Sequence, residues 1–202
     1  MLSNIIEKAK EYVTEYLTNN LSTDYNYHCI NHTFEVVKNT EELGRGSFLS
    51  EKEFDIVVLA AWFHDVGYSK GGNEHEKISI DIAEKFLIAN NFLIEDIEQV
   101  KKCIDATELS SIPNSLLEKI LSDSDILHIG KKDYLEKSEL LRQEFKKNQN
   151  KNYSDDEWIK ENIKFLTEHN FYTKYAKNNY GPQRMKNIEK LKNQLNKLIG
   201  KD

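Results

Sequence analysis

Phe54-Asp55-Ile56-Val57-Val58-Leu59-Ala60-Ala61-Trp62-Phe63-His64-Asp65-Val66-Gly67 is the stretch on which the reading of this chain turns. From Ile56 to Phe63 it is apolar on every side of a helix, which marks a helix buried in a core. Ser50-Glu51-Lys52-Glu53 precedes it with the form of a capping box. The run is well short of the roughly 20 apolar residues that span a bilayer, and no other run comes closer. It ends on His64-Asp65, two polar side chains able to bind metal. In a core they need partners, or they cost several kcal/mol of desolvation.

Outward from this helix, apolar residues recur at helical spacing nearly everywhere. Leu2, Ile5, Ile6, Ala9, Tyr12, Val13, Tyr16 and Leu17 predict a first helix. A second is expected from about Tyr27 to Leu43, ended by Gly44-Arg45-Gly46. Further helices fit roughly residues 74–90, 94–108, 114–128 and 131–149. Ser154-Asp155-Asp156-Glu157 caps another, to about His169. A last helix is expected after Gly181-Pro182, carrying Met185, Ile188, Leu191, Leu195 and Leu198. There is no strand alternation and no repeat. The class is all-α. Residues 1–202 read as a single domain, with a core over about 20–135 and a more polar helical appendage over about 150–202.

Composition agrees. Of 202 residues, 39% are hydrophobic and 31% charged, with only 8 Gly and 2 Pro. This fits a soluble helical protein and excludes collagen-like, low-complexity and disulfide-scaffold classes. The net charge of −6 argues against a nucleic-acid polymer as partner. A small phosphorylated substrate stays open, because a metal can supply the positive charge. Of the 28 basic residues only Arg45, Arg142 and Arg184 are arginine. Cys29 and Cys103 form no CxxC and read as small buried hydrophobes. Met1-Leu2-Ser3-Asn4-Ile5-Ile6-Glu7-Lys8 lacks the charged and apolar regions of a signal peptide, so the expectation is a cytoplasmic protein without a membrane partner.

The residues able to do chemistry lie in three short segments. Tyr27-His28-Cys29-Ile30-Asn31-His32 sets two histidines four apart, on one face if the segment is helical. His64-Asp65 ends the apolar helix. Asp123-Ser124-Asp125-Ile126-Leu127 sets a carboxylate beside apolar residues. Each has a plain structural reading. The His pair can be solvated, His64-Asp65 can answer the helix dipole and its turn, and Asp125 can be an N-cap, as can Ser122, Asp123 or Ser124. Together, two histidines and two aspartates on three helices can converge on one centre in a bundle core. That ligand mixture suits Mn, Fe, Co, Ni or Zn, and the lack of thiolates disfavours a structural zinc site. Walker A, Gly-x-Gly-x-x-Gly and Gly-x-Ser-x-Gly patterns are all absent.

The order His32…His64-Asp65…Asp125, with its flanking words, resembles the H…HD…D signature of the HD-domain metal-dependent phosphohydrolases, over about residues 20–135. The resemblance implies metal ligation by His32, His64, Asp65 and Asp125. It sets Asp65 against an activated water and implies catalytic roles for Asp65 and His28, the latter protonating a leaving oxygen. It implies substrate or second-metal contacts for His75, Lys70 and Arg184, with Mg an option at a second site. Two-metal relatives carry a further His pair where this chain reads Cys103-Ile104-Asp105-Ala106-Thr107-Glu108, leaving only Asp105 and Glu108 as substitutes. Tyr153-Ser154-Asp155-Asp156-Glu157-Trp158 and the Tyr175–Gln183 segment are similar to a bacterial subgroup found alone or ahead of the membrane part of Pycsar-type antiphage effectors.

The expected function is hydrolysis of a phosphate ester of a nucleotide or other small phosphorylated metabolite by a metal-activated water. A nucleotide-binding sensor with an HD fold and little turnover is the alternative. A scaffold whose His and Asp only cap and pack competes with both, and a two-iron HD oxygenase ranks last for want of ligands. Tyr172, Tyr175 and Tyr180 read as core packing or as a cover for a nucleobase; His128 and His169 read as structural or exposed.

Overall fold

The computed structural model describes residues 2–200, without the side chains of Leu2 and Ser3. Met1, and the Leu2 member of the first apolar stripe, therefore lie outside the described side chains. The helices are α1 (Leu2–Asn20), α2 (Ile30–Gly46), α3 (Glu51–Phe63), α4 (His75–Ala89), α5 (Ile94–Asp105), α6 (Leu116–Asp125), α7 (Tyr134–Asn148), α8 (Asp155–Glu168) and α9 (Lys174–Leu198). Short 3₁₀ turns occupy Val66–Lys70 and Ile126–Gly130. No strand occurs among the described residues, and no described helix is long and apolar enough to cross a membrane.

The chain forms two compact units. The first takes the described residues of Met1–Ser22 and His28–Asp125. Its centre is α3, where every side chain from Ile56 to Phe63 is buried. Around it pack Val13 and Leu17 of α1, Val36 and Val37 of α2, Val100 and Ile104 of α5, and Ile120 and Leu121 of α6. Each fully buried Val, Leu or Ile contributes about 1.5–3 kcal/mol relative to exposure. Ser50 and Glu53 close the predicted capping box, each side chain accepting from the other's backbone N–H. Helix α3 stops at Phe63, and Tyr68 N–H donates to Asp65 O as the chain tightens into the 3₁₀ turn.

The second unit takes Thr23–Tyr27 and the described residues of Ile126–Asp202. Ser154 and Glu157 form its capping box at α8. A buried polar network joins Tyr27, whose N–H donates to Glu144 and whose hydroxyl lies 3.1 Å from His128, to Tyr134, which stacks on His128 and hydrogen-bonds Asn162. His128 is thus structural.

Helix boundaries differ from the sequence reading at several ends: α5 and α6 stop at Asp105 and Asp125, three residues before the expected ends, α7 starts three residues late at Tyr134, and α9 and α2 differ as follows. The last helix starts at Lys174, not after Gly181-Pro182, because Thr173 caps it by accepting from Ala176 N–H. Gly181 has no Cβ for the proline ring to strike, so the helix runs through Pro182. Helix α2 begins at Ile30 and runs on to Gly46. Past its end, Phe48 adopts a left-handed φ of 57° and the residue is 94% exposed. A Phe48→Gly variant removes that strain without losing packing. Its unfolding midpoint is expected to rise, by about 2–4 °C for about 1 kcal/mol, in a calorimetric melt.

Candidate metal centre

Three helices of the first unit bring His32, His64 and Asp125 together. Their nearest ligand atoms all lie within 4.8 Å of one another, and no other such group of three or more His, Cys, Asp or Glu occurs among the described residues. His64 ends α3, its side chain fully buried. Its Nδ1 lies 2.8 Å from Ala61 O, and a carbonyl can only accept, so Nδ1 carries the proton and Nε2 presents a lone pair. A ligating imidazole is oriented in this way, by donating its other N–H to a carbonyl.

His32 sits in the first turn of α2, with Nε2 3.0 Å from Asp125 Oδ1. Asp125 is the last residue of α6 and not an N-cap. The end of α6 is held by Asn39 Nδ2, donating to Ser124 O at 2.9 Å, and by Ser122 Oγ, donating to Ala106 O at 2.8 Å. Asp65 closes the set from the turn after α3. Its Oδ2 lies 3.2 Å from His64 Nε2 and 3.4 Å from His32 Nε2. Its Oδ1 faces the other way, 3.6 Å from His75 Nε2.

The chemistry of this set fits a cation. His64 Nε2 and Asp65 Oδ2 are buried and have no hydrogen-bond partner, although they lie 3.2 Å apart. Two orphaned buried polar atoms cost about 1–3 kcal/mol each unless a ligand satisfies both. The electrostatics point the same way. Burial drives His64 towards the neutral form, yet the Asp65 and Asp125 carboxylates hold its pKa well above the ordinary value. Burial likewise opposes ionisation of Asp65 and Asp125. The neighbouring imidazoles, His64 foremost for Asp65 and His32 for Asp125, keep both well below the usual carboxylate range. A site that concentrates negative charge on a buried nitrogen lone pair attracts a divalent ion as it attracts a proton.

The other candidate residues fall in different places. His28 lies ahead of α2, in the bend before Ile30, so it does not share a helical face with His32. Tertiary packing still sets the two rings edge to face at 5.7 Å. His75 opens α4, its Nδ1 3.2 Å from Gly72 O and its Nε2 3.3 Å from Glu76 Oε1. Lys70 is exposed at the end of the 3₁₀ turn. Arg184 belongs to the second unit, where its Nε donates to Leu166 O and His169 O at 3.1 Å each. Its Nε thereby caps the carbonyl end of α8. Asp105 and Glu108 are exposed and join no cluster. Tyr172 is 40% exposed, and Tyr180 packs on Phe171 and against Gly130.

The HD-domain family model matches residues 29–130, which span α2 to the turn after α6 and contain all four converging residues. The chain belongs to the HD-domain family. A crystal structure of a predicted HD superfamily hydrolase from an uncultured Thermotogales bacterium is similar in fold, with a TM-score of 0.60 at 20% identity. The likeness covers 98% of this chain and 91% of that one. No curated protein matches this sequence. In this HD domain the sequence reading passed over two residues beside the centre. Tyr68 stacks between His28 and His75, and Gly67 lets the His75 backbone approach. The only local signal for either was its place two or three residues after Asp65.

Proposed function

We propose that this HD domain is a metal-dependent phosphohydrolase acting on a phosphate ester of a nucleotide or another small phosphorylated metabolite. The observation that carries the reading is the pair of orphaned buried atoms, His64 Nε2 and Asp65 Oδ2, facing the same space as His32 Nε2 and Asp125 Oδ1. Those four residues would hold a divalent transition ion. When bound, such an ion supplies Lewis acidity, lowering the pKa of water and neutralising charge on a phosphoryl oxygen.

The chain's own residues supply the rest. Asp65 turns Oδ1 away from His64, towards His75, where it orients an attacking water and accepts its proton. His28 stands beyond His32 and donates a proton to the leaving oxygen. His75, at the start of α4, reaches the phosphate beside the N–H groups of the helix's first turn. The resemblance of the family and of the Thermotogales fold supports the reaction class, and the mixed His/Asp set supports the choice of ion.

The test is turnover by the full chain reconstituted with Mn, Fe, Co, Ni or Mg, across phosphomonoesters and cyclic phosphodiesters. Product formation that needs metal and is lost in Asp65→Asn is expected. Tight nucleotide binding with no product from any loaded form would overturn the hydrolase in favour of a sensor.

A further inference from the structure

We infer that Tyr68 is a positioning residue: its ring spaces His28 and His75 so that both imidazoles outside the ligand set face the metal centre. The inference rests on the hydrolase reading and adds a residue to it. The Tyr68 ring is centred 4.2 Å from the His28 ring at an interplanar angle of 14°, and 4.1 Å from the His75 ring at 31°. Two imidazoles this close to one phenol ring stack on its opposite faces, since a single face has no room for both. The Tyr68 hydroxyl also lies 3.3 Å from His28 Nε2. One end of this three-ring column meets the centre through the edge-to-face contact of His28 with His32. The other meets it through His75 Nε2, 3.6 Å from Asp65 Oδ1.

The two histidines come from separate elements, His28 from the bend before α2 and His75 from the start of α4. No ring contact joins the two imidazoles directly; each packs on the ring between them. That ring, Tyr68, stands on the 3₁₀ turn that Asp65 begins, anchored where Gly67 N–H donates to Ser79 Oγ at 2.9 Å. With both faces covered, the phenol ring offers no surface on which a nucleobase can stack. Its role is therefore to hold the histidines and not to bind substrate. A flexible aliphatic side chain in its place removes the rigid face against which each imidazole packs, and misplacement of a reacting group by about 1 Å costs on the order of a hundredfold in rate.

The test compares wild type, Tyr68→Phe and Tyr68→Leu, each loaded with the same metal, on a p-nitrophenyl phosphomonoester and the matching diester. Tyr68→Leu is expected to lower kcat by about tenfold to a hundredfold, with KM within roughly twofold and metal stoichiometry unchanged. Tyr68→Phe keeps the stack and is expected to restore most of kcat. Wild-type kcat in the leucine variant, loss of its metal, or an equal fall in the phenylalanine variant would each overturn the inference. Imidazole proton resonances of the metal-free chains give a readout independent of turnover. Those of both His28 and His75 are expected to shift in Tyr68→Leu, as the ring current is lost, and to hold in Tyr68→Phe. If no loaded form of wild type turns over, the hydrolase reading falls while these resonances still decide the stack; movement of neither or only one refutes it.

Discussion

A His64→Ala, Asp65→Ala double variant is expected to bind no divalent ion under conditions in which the reconstituted wild type holds about one per chain. The reason lies in the partnering of the site. His64 Nε2 has no donor or acceptor to satisfy it, its Nδ1 being committed to Ala61 O, and Asp65 Oδ2 is equally orphaned. These two atoms meet the demand of a cation for desolvated lone pairs, and His32 and Asp125 alone leave it half-coordinated. Metal also reports through stability. An ion that binds only the folded chain adds about 2.7 kcal/mol at a hundred times its Kd, or about 5–10 °C in Tm for a chain of this size. Wild type is expected to show that shift on adding Mn or Co and to lose it with a chelator. The double variant is expected to melt at one temperature with or without metal. Elemental analysis and paired melts measure both effects, and a variant that keeps its ion and its shift would remove these residues from the ligand set.

Gly67→Ala is expected to be the most damaging single methyl in the first unit. A Cβ at Gly67 would stand 2.0 Å from His75 O, 2.8 Å from its carbonyl carbon and 3.0 Å from its Cα. All three are backbone atoms at the start of α4, so no side chain can swing aside. The helix must shift, or the 3₁₀ turn must. Overpacking of a tight core position costs about 1–3 kcal/mol, and a clash with fixed backbone lies at the upper end or beyond. The Gly67 N–H bond to Ser79 Oγ would be strained by the same movement. A fall in Tm of about 6–12 °C is expected. Activity is expected to fall further than stability explains, because His75 is carried away from Asp65 Oδ1. A variant that folds as wild type and retains full turnover would show that α4 is free to slide and that its register is irrelevant to the centre.

These two cases mark the line between what is local and what is not. The helical class, the two capping boxes at Ser50 and Ser154, and the buried character of α3 were legible in the sequence. Each arises from residues within about one or two turns of one another, where periodicity and hydrogen-bonding chemistry act directly. His64 and Asp65 stood out for the same reason, being polar side chains at the end of an apolar run. The start of α2 was misread because Tyr27 and His28 carry no stop signal. Residues 23–27 pack with the second unit, where Tyr27 N–H donates to Glu144, and the chain becomes helical only at Ile30. The last helix was misread because Gly181-Pro182 looks like a break, and only the Thr173 cap shows that helix α9 is already under way.

By itself, then, the sequence determined an all-helical chain built around one apolar helix ending in His-Asp, with the residue types for a metal centre in three segments. Only the tertiary structure decided which atoms meet. It turned Asp65 Oδ2 towards His64 and Oδ1 towards His75, placed Tyr68 between two histidines, and made Gly67 a point of backbone contact. Such facts depend on distances between segments tens of residues apart. Packing sets those distances to fractions of an ångström, and no local pattern encodes them.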